Sequence, residues 1–243
     1  MWVATPRRHV SRDEVKLQIS VIVPAVNEAE TIGGCLAQFR DAGGVEVVVV
    51  DGGSSDGTRE AVNASGVARW LPSPKKGRAF QMNYGAAATS GEVLLFLHAD
   101  THLPQDGLRL IADSMADPKV VGGRFRLGLS EDTWMFRLIA LFSTFRSRYL
   151  GITYGDQGIY VRRSVFDRMG GFPALEIFED SEFCSAVSRL GRFVMLDASV
   201  CSSTRRWRRW GVFRTVVWMW VLRLLYICSV SDDRLSRRYR NVR

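Results

Sequence analysis

The stretch Ile19-Ser-Val-Ile-Val-Pro24-Ala-Val-Asn27-Glu28 decides the fold of this chain. Its first half is a run of mostly β-branched residues that a proline ends, which is typical of a short strand buried on both faces. A second run of the same kind, Val45–Val50, ends in Asp51-Gly-Gly-Ser-Ser-Asp56-Gly. Strands that are apolar on both faces occur in parallel sheets with helices on either side.

Segments with helical spacing alternate with these strands. In residues 28–42, Ile32, Leu36 and Phe39 share one helical face, and Gly43-Gly44 ends the pattern. The same alternation predicts helices over 58–65 and 78–90 and strands over 68–71 and 93–97. After residue 104 it loosens, and the remaining predicted elements are helices over 108–115, 133–149, 179–190 and 212–230 and strands over 120–127, 158–161 and 193–196. We therefore expect an α/β fold with a mostly parallel central sheet and helices on both faces.

Length and composition are those of a globular protein. The chain has 243 residues, of which 47% are hydrophobic and 24% charged, and these values exclude a disordered, fibrous or low-complexity protein. We expect a polar arm over residues 1–18 and one domain over 19–207, in which the regular alternation of strands and helices ends at about residue 104. An apolar helix and a basic tail follow over 208–243.

The positive charge is concentrated at the C-terminus. The net charge is +8, and residues 201–243 alone hold eleven arginines against two aspartates. A basic tail favours an anionic partner such as phospholipid, nucleic acid or phosphate, but a solvated face explains it equally well. Within it, Val212–Val230 is a candidate membrane segment that Arg214 and Arg223 interrupt, so it is a helix buried in protein or lying at a membrane surface and not a span. Because the two arginines fall on opposite sides of the helix, we expect it to pack against the rest of the chain or a second subunit.

The four cysteines predict neither a zinc site nor a disulfide framework. Cys35, Cys184, Cys201 and Cys228 show no CxxC spacing, and in a chain of this size scattered thiols are typical of small core residues. No apolar stretch follows Met1, so we expect no secretory signal and a reducing, cytoplasmic location.

Polar residues follow three of the predicted strands. They are Asn27 and Glu28 after the first, Asp51 and Asp56 after the second, and His98, Asp100 and His102 after the fourth. Any one acid is readily explained as a helix cap or turn former, whereas three polar strand ends at one edge of a sheet indicate a ligand site. Neither a GxGxxG nor a P-loop motif is present, and carboxylates at this edge favour a divalent cation that holds phosphates.

These motifs, together with Lys76-Gly-Arg78, resemble the nucleotide-sugar domain of family 2 glycosyltransferases of the GT-A fold. The later segments Gly155-Asp156-Gln157, Val161-Arg-Arg163, Met169-Gly-Gly-Phe172 and Phe178-Glu179-Asp180 resemble its acceptor half. The likeness runs from about residue 19 to residue 207, and it implies one catalytic domain with a nucleotide-sugar half, 19–104, and an acceptor half, 105–207. Within the family, the His98-Ala-Asp100 and Gly155-Asp-Gln157 segments are similar to a short bacterial group found near selenium- or arsenic-sugar genes.

The resemblance implies a donor site for a nucleotide-sugar, with a UDP-sugar favoured over a GDP-sugar. Asp51 is then the acceptor of the imide hydrogen of the base. His98-Ala99-Asp100 stands at the DxD position, where His98 departs from the usual acid, and Asp100, with His102, is expected to hold Mn²⁺ or Mg²⁺. The other donor-binding residues that the resemblance implies are Pro24, Asn27, Glu28, Asp56 and Arg78.

The resemblance also implies an acceptor site and an inverting transfer. Such a transfer needs one base to deprotonate the acceptor, and Asp180 fits that role, with Glu179 beside it raising its pKa. Acids at this position are also explained by a helix N-terminus. The residues expected to contact the donor sugar or the acceptor are Asp156, Gln157, Arg206 and Trp207.

Two other functions stay open. One is a nucleotidyltransferase of similar fold, although Pro24-Ala-Val-Asn27-Glu28 lacks the glycine-rich loop of that class. The other is a non-catalytic module that binds sugar nucleotides or membranes. No recognition motif accompanies the arginines, so we expect no nucleic-acid partner. We predict a homodimer whose contact with membrane, through the arginine-rich C-terminus, is at most peripheral and salt-sensitive.

Overall fold

Eight strands form one sheet in the order β3-β2-β1-β4-β7-β6-β8-β5 in the computed structural model, which describes residues 17–149 and 151–228. The strands are β1 Ile19–Ala25, β2 Val45–Asp51, β3 Arg69–Pro72, β4 Val93–Phe96, β5 Thr101–His102, β6 Val120–Leu129, β7 Ile159–Arg162 and β8 Arg192–Ser202. The strands β3-β2-β1-β4 are parallel neighbours, as the sequence predicts, and β6 and β8 are also parallel. β7 is antiparallel to β4 and β6, and β5 to β8, so the acceptor half departs from the parallel pattern.

Nine helices accompany the sheet in the described residues. They are α1 Ala29–Ala37, α2 Thr58–Ser65, α3 Arg78–Ala87, α4 Gly107–Met115, α5 Trp134–Tyr149, α6 Arg163–Met169, α7 Glu179–Ser188, α8 Arg205–Trp210 and α9 Val212–Ile227, with a 3₁₀ turn at Gly155–Gln157. The sequence did not predict α6, α8 or the 3₁₀ turn, all of which are too short to show helical periodicity.

The core lies on both faces of the sheet. On one face, Ile32 of α1 and Ile111 of α4 pack against Val21 and Val23. On the other, Met82 of α3 and Phe183 of α7 pack against Ile22 and its neighbours. The expected burial of the first strands on both faces is therefore confirmed, and full burial of such a side chain contributes about 1.5–3 kcal/mol.

The last strand is longer than the sequence predicts. β8 continues from Arg192 to Ser202, whereas the apolar run predicts only residues 193–196. Beyond that run, exposed Asp197 and Ser199 alternate with less exposed residues, so only a search for alternation would have found the rest. The extension matters because it brings Ser202 and Ser203 to the same edge as the ends of β1 and β4.

The C-terminal helix is covered on one side only. Leu222 of α9 is buried against Ile177 and Phe178, as expected for a helix packed on the catalytic domain. The opposite side exposes Phe213, Val217, Trp220 and Leu224, so the residues that the structure describes leave one stripe of this helix uncovered. Within residues 17–149 and 151–228, no helix combines the length and the apolarity needed to cross a bilayer. The expectations for the arm and the basic tail fall on residues 1–16 and 229–243, which lie outside the described part.

All four cysteines are free thiols. Cys35 and Cys184 are buried, as expected for small core residues, and burial raises the pKa of Cys35 to about 12. Cys201 and Cys228 are exposed, so the core interpretation is wrong for these two.

Candidate functional site

A cavity of about 650 Å³ opens at the edge of the sheet where β4, β6 and β8 end, and the predicted residues that follow β1 and β2 lie outside its lining. Nine charged or titratable side chains line it: Arg78, His98, Asp100, Arg146, Tyr154, Asp156, Glu176, Glu179 and Asp180. The remaining wall is largely apolar and comes from α5 and α9. The structure thus brings together, in one cavity, predicted residues from both halves of the chain.

Two loops on the donor side are fastened to each other. Asn27 has φ 55°, a left-handed conformation that is uncommon for any residue but glycine, and its Oδ1 accepts a hydrogen bond from the backbone N–H of Ser55 at 2.8 Å. Its own N–H donates to the Ser54 hydroxyl at 2.9 Å. Ser54 in turn donates to Asp51, which is buried at the end of β2. This arrangement holds the ends of β1 and β2 in a fixed relation.

Asp56 ties the same loops together from the outside. It is exposed, and its carboxylate accepts hydrogen bonds from the N–H groups of Ala29 and Thr58 and from the Thr58 hydroxyl. The hydroxyl bond is the largest cause of the lowered pKa of Asp56. These contacts match the turn-forming explanation of this acid, and they leave its predicted place near the nucleotide a prediction.

Glu28 is joined to the C-terminal part of the chain. Its Oε2 accepts a hydrogen bond from Arg205 Nη2 at 2.6 Å, and the same Arg205 nitrogen lies 3.7 Å from Asp100 Oδ2. Sequence reasoning singled out Arg206 and Trp207 and missed Arg205. Trp207 lines the cavity, whereas the side chain of Arg206 lies outside the described part. Pro24, at the end of β1, is partly exposed.

The residues at the DxD position and His102 after it lie in three different surroundings. His98 and Asp100 line the main cavity, and Ala99 is buried in the core. His102 lies on β5 beside α1, where its Cε1 is 3.6 Å from the position that a Cβ on Gly34 would take. It lines a smaller cavity of about 280 Å³, which Asp100 also borders. Asp100 is therefore the member of this segment that both cavities share.

The donor atoms at this edge fit one divalent cation that also binds phosphate. Among the described residues, no three His, Cys, Asp or Glu side chains gather into a metal-binding cluster. Mg²⁺ sites commonly use only one or two carboxylates, with water and substrate phosphates completing the coordination. Asp100, with a side chain 24% exposed, supplies such a carboxylate, and His98 supplies an imidazole in the same cavity.

Asp180 is buried at the N-terminus of α7. Its two oxygens accept hydrogen bonds from the backbone N–H groups of Gly155 and Ser181. Burial raises the pKa of Asp180, and the positive charge of Arg78 opposes that rise. The sequence analysis attributed the raised pKa of Asp180 to Glu179, but in the structure burial is the largest cause of that rise. The buried Glu179 carboxylate lies 3.5 Å from Arg78 Nη1.

Phe178 helps to position Asp180. It precedes Glu179 with φ 65°, and with Asn27 it is one of two non-glycine residues in the described part that adopt a positive φ. Such strain costs about 1–3 kcal/mol and is concentrated at functional sites. The ring of Phe178 stacks near Tyr154, and the Arg223 guanidinium of α9 lies 5.0 Å from its centroid. The packing of α9 therefore supports the position of Asp180.

The segment Gly155-Asp156-Gln157 contributes in three different ways. Asp156 lines the cavity, and its contact with substrate stays a prediction. Gln157 is fully buried and donates a hydrogen bond to the Phe125 carbonyl at 3.3 Å, so its position favours a structural role over the predicted contact with sugar. Gly155, which sequence reasoning did not single out, contacts both His98 and Asp180.

Replacement of Gly155 by alanine is expected to lower turnover on the order of 10²-fold, because the added Cβ would lie 2.7 Å from His98 Nε2 and 3.3 Å from Asp180 Oδ2. The φ of Gly155 is outside the left-handed region, so the fold itself should tolerate the change. Steady-state kinetics with a thermal melt measure both effects. Gly33→Ala, on the open side of α1, is the control and should keep full turnover. Normal turnover of the Gly155 variant would contradict the proposed proximity of these groups.

Comparison with known proteins identifies sequence relatives of this chain. Residues 20–172 match the sequence profile of a family described as "Glycosyl transferase family 2". The "Probable glycosyltransferase YdaM" of Bacillus subtilis is 26% identical over 225 residues, which cover 82% of this chain and 54% of that protein. "Glycosyltransferase AglE" of Haloferax volcanii is 28% identical over 64% of this chain and 56% of its own length. The chain thus spans about half the length of these two relatives.

Solved structures share the fold. A mannosyltransferase from Pyrobaculum calidifontis, solved with GDP-Man and Mn²⁺, superposes with a TM-score of 0.65 at 24% identity, covering 79% of this chain and 61% of its own. Glucosyl-3-phosphoglycerate synthase from Mycobacterium tuberculosis, solved with Mn²⁺, UDP and glucosyl-3-phosphoglycerate, gives 0.64 at 19% identity. That match covers 94% of this chain and 88% of the synthase. At these identities the likeness establishes the GT-A fold alone. The finer likeness to the selenium- and arsenic-associated group stays a prediction.

Proposed function

Since this chain belongs to glycosyltransferase family 2, we propose that it moves a sugar from a nucleotide-diphosphate donor to an acceptor in a single inverting displacement. The observation that carries the proposal is the meeting of Asp180, Asp100 and Arg78 in one cavity at the carboxyl edge of the sheet. One cavity therefore offers a base, a metal-binding carboxylate and a cation that can face phosphate.

The reaction requires the protein to accept one proton, which comes from the acceptor hydroxyl. An acceptor hydroxyl oxygen attacks the anomeric carbon from the face opposite the diphosphate, and the bond from that carbon to the diphosphate oxygen breaks. The bonding electron pair leaves with the nucleoside diphosphate. Asp180 takes the hydroxyl proton, and burial suits it to this role because a raised pKa makes the carboxylate a stronger base.

The donor is proposed to lie along the ends of β1, β2 and β4. Asp51 faces the base, Asn27, Glu28 and Arg78 complete the nucleotide site, and a UDP-sugar is favoured over a GDP-sugar. Asp100 would hold Mn²⁺ or Mg²⁺, which when bound neutralises the charge of the leaving diphosphate. The fold relatives support a divalent ion, since the mannosyltransferase was solved with Mn²⁺ and GDP-Man and the synthase with Mn²⁺ and UDP.

The polar residues near Asp180 are proposed to distinguish substrates. Asp156 lines the cavity beside Gly155 and is placed to bind a hydroxyl of the donor sugar or of the acceptor. Trp207 offers an aromatic face to a sugar ring. Gln157 is assigned to the support of this loop because its side chain is fully buried.

Isothermal titration of the protein with UDP and with GDP, each with and without Mn²⁺, tests the proposal. We expect saturable binding of at least one nucleotide, UDP the tighter, that Mn²⁺ strengthens. Binding of neither nucleotide in the presence of Mn²⁺ would overturn the proposed donor site. Binding of UTP with release of pyrophosphate on addition of a sugar phosphate would favour the nucleotidyltransferase instead.

A further inference from the structure

The catalytic cavity continues into an apolar surface that a polar acceptor does not need. Along α5, six large apolar side chains spaced three or four residues apart are exposed: Trp134, Leu138, Leu141, Phe142, Phe145 and Tyr149. Arg137 and Arg148 are exposed beside them. Four of the six apolar side chains also line the cavity, namely Trp134, Leu138, Phe142 and Phe145. The outer face of α5 is thus a continuation of the wall of the site.

The helix α9 repeats this arrangement across the cavity. Phe213, Val217, Trp220 and Leu224 are spaced as one stripe, and all four are more than half exposed. The first three line the cavity. We call the two stripes on α5 and α9 the apolar rim.

The rim is larger than an ordinary exposed patch. It holds six aromatic residues, each of them more than half exposed, and an aromatic side chain presents roughly 150–250 Å². The aromatic residues alone therefore expose roughly 600 Å², at the upper end of what a monomeric soluble protein shows. An exposed apolar surface of this size is expected to bind a partner.

The charge beside the rim favours an anionic bilayer over a second copy of the chain. Arg148 and Arg214 are exposed on the two rim helices, and the net charge of the chain is +8. Two copies meeting at this face would bring these cations together, and each would obstruct the cavity of the other. Anionic lipid headgroups attract such cations, while aromatic residues and leucines enter the headgroup region.

We infer that the acceptor is a membrane lipid, an inference that rests on the proposed glycosyl transfer. Its headgroup hydroxyl lies at Asp180, its hydrocarbon chain lies along the apolar wall between α5 and α9, and the rim enters the surface of the bilayer. The transfer is the displacement given above, with the headgroup oxygen as nucleophile. This inference departs from the sequence-based prediction that membrane contact is at most salt-sensitive, because contact through the rim depends on apolar burial and not on the basic tail.

Flotation of the full chain with vesicles of phosphatidylcholine and phosphatidylglycerol tests the membrane contact. We expect the protein to stay bound in 1 M salt, where charge attraction is screened within about 3 Å. The variant Leu141→Glu/Leu224→Glu changes rim residues that do not line the cavity, and should lower vesicle binding by about a hundredfold. Leu190→Glu is the matched control, because this exposed leucine precedes β8 at the end away from the cavity.

Three results would overturn the inference. One is absence of vesicle binding, and another is complete release in 1 M salt, which would assign the contact to the basic tail. The third is a dimer, seen by light scattering, that the rim variant converts to a monomer. The affinity for UDP and GDP with Mn²⁺ should be the same in the rim variant and the control. Normal nucleotide binding without vesicle binding would remove this inference alone, whereas vesicle binding without nucleotide binding would remove the proposed function.

A pyrene-labelled long-chain alcohol tests the site of the hydrocarbon chain. We expect saturable binding to the wild-type protein, loss of binding in Val217→Glu, which places a charge in the apolar wall, and retention in Leu190→Glu. Absence of saturable binding to the wild-type protein would exclude the hydrocarbon site.

Discussion

Replacement of Asp180 by asparagine is expected to lower turnover by about 10²–10⁴-fold and to leave donor affinity nearly unchanged. The amide cannot take a proton from the acceptor, but it keeps the size of the carboxyl group and one acceptor oxygen for the N–H groups of Gly155 and Ser181. Donor affinity should persist because the proposed contacts with nucleotide lie at the ends of β1, β2 and β4. Single-turnover kinetics and nucleotide titration measure the two effects separately.

The pH profile distinguishes loss of a base from loss of structure. Burial raises the pKa of Asp180 in the folded protein, and the ionised form is the base, so turnover should fall as the pH falls through that raised value. The acid limb of kcat should therefore lie above about pH 4, where ordinary carboxylates titrate, and the limb should vanish in Asp180→Asn. Asp41→Asn, which changes an exposed acid between α1 and β2, is the control and should keep both the rate and the limb. A loss of donor affinity equal to the loss of turnover would make Asp180 a binding residue.

The donor half was predictable because its determinants are local in sequence. Polar residues follow the apolar runs of β1, β2 and β4, and parallel strands bring their carboxyl ends to one edge. The placement of Asp51 and Asp100 at the same edge of the sheet therefore needed no knowledge of distant contacts. The helix α7 and the position of Asp180 at its start were also predicted correctly.

The acceptor half was harder to predict because its contacts join distant segments. The hydrogen bond from Gly155 to Asp180 spans 25 residues, and β7, which is antiparallel to both its neighbours, places the 3₁₀ turn against His98. Gln157 looks like a sugar ligand in sequence, yet its burial follows from a turn that no periodicity reveals. Likewise α9 is apolar nearly all round, and only the structure distinguishes the side that packs on Phe178 from the side that stays exposed.

Replacement of Asp100 by alanine is expected to abolish the strengthening of nucleotide binding by Mn²⁺ and to lower turnover by about 10³-fold. A methyl group offers no ligand to a cation, and stabilisation of a leaving diphosphate by a metal is worth several kcal/mol, at about 1.4 kcal/mol for each factor of ten. The loss should appear in titrations of UDP or GDP as equal affinity with and without Mn²⁺. Asp100 borders both cavities, and His102 lines the smaller one. Any effect of Mn²⁺ that remains in the Asp100 variant would therefore report on binding of the same ion by His102.

The contact between Asp100 and Arg205 determines which control the titration of Asp100→Ala needs. Arg205 Nη2 lies 3.7 Å from Asp100 and 2.6 Å from Glu28, so removal of the Asp100 carboxylate leaves the arginine held by Glu28 and close to the nucleotide site. Arg205 can then face the diphosphate itself, and metal-free affinity should stay the same or rise in Asp100→Ala. Asp106→Ala, which removes an exposed acid at the start of α4, should preserve the response to Mn²⁺. Full strengthening by Mn²⁺ in the Asp100 variant would move the metal to other residues, and His102→Ala would then be the variant to lose it.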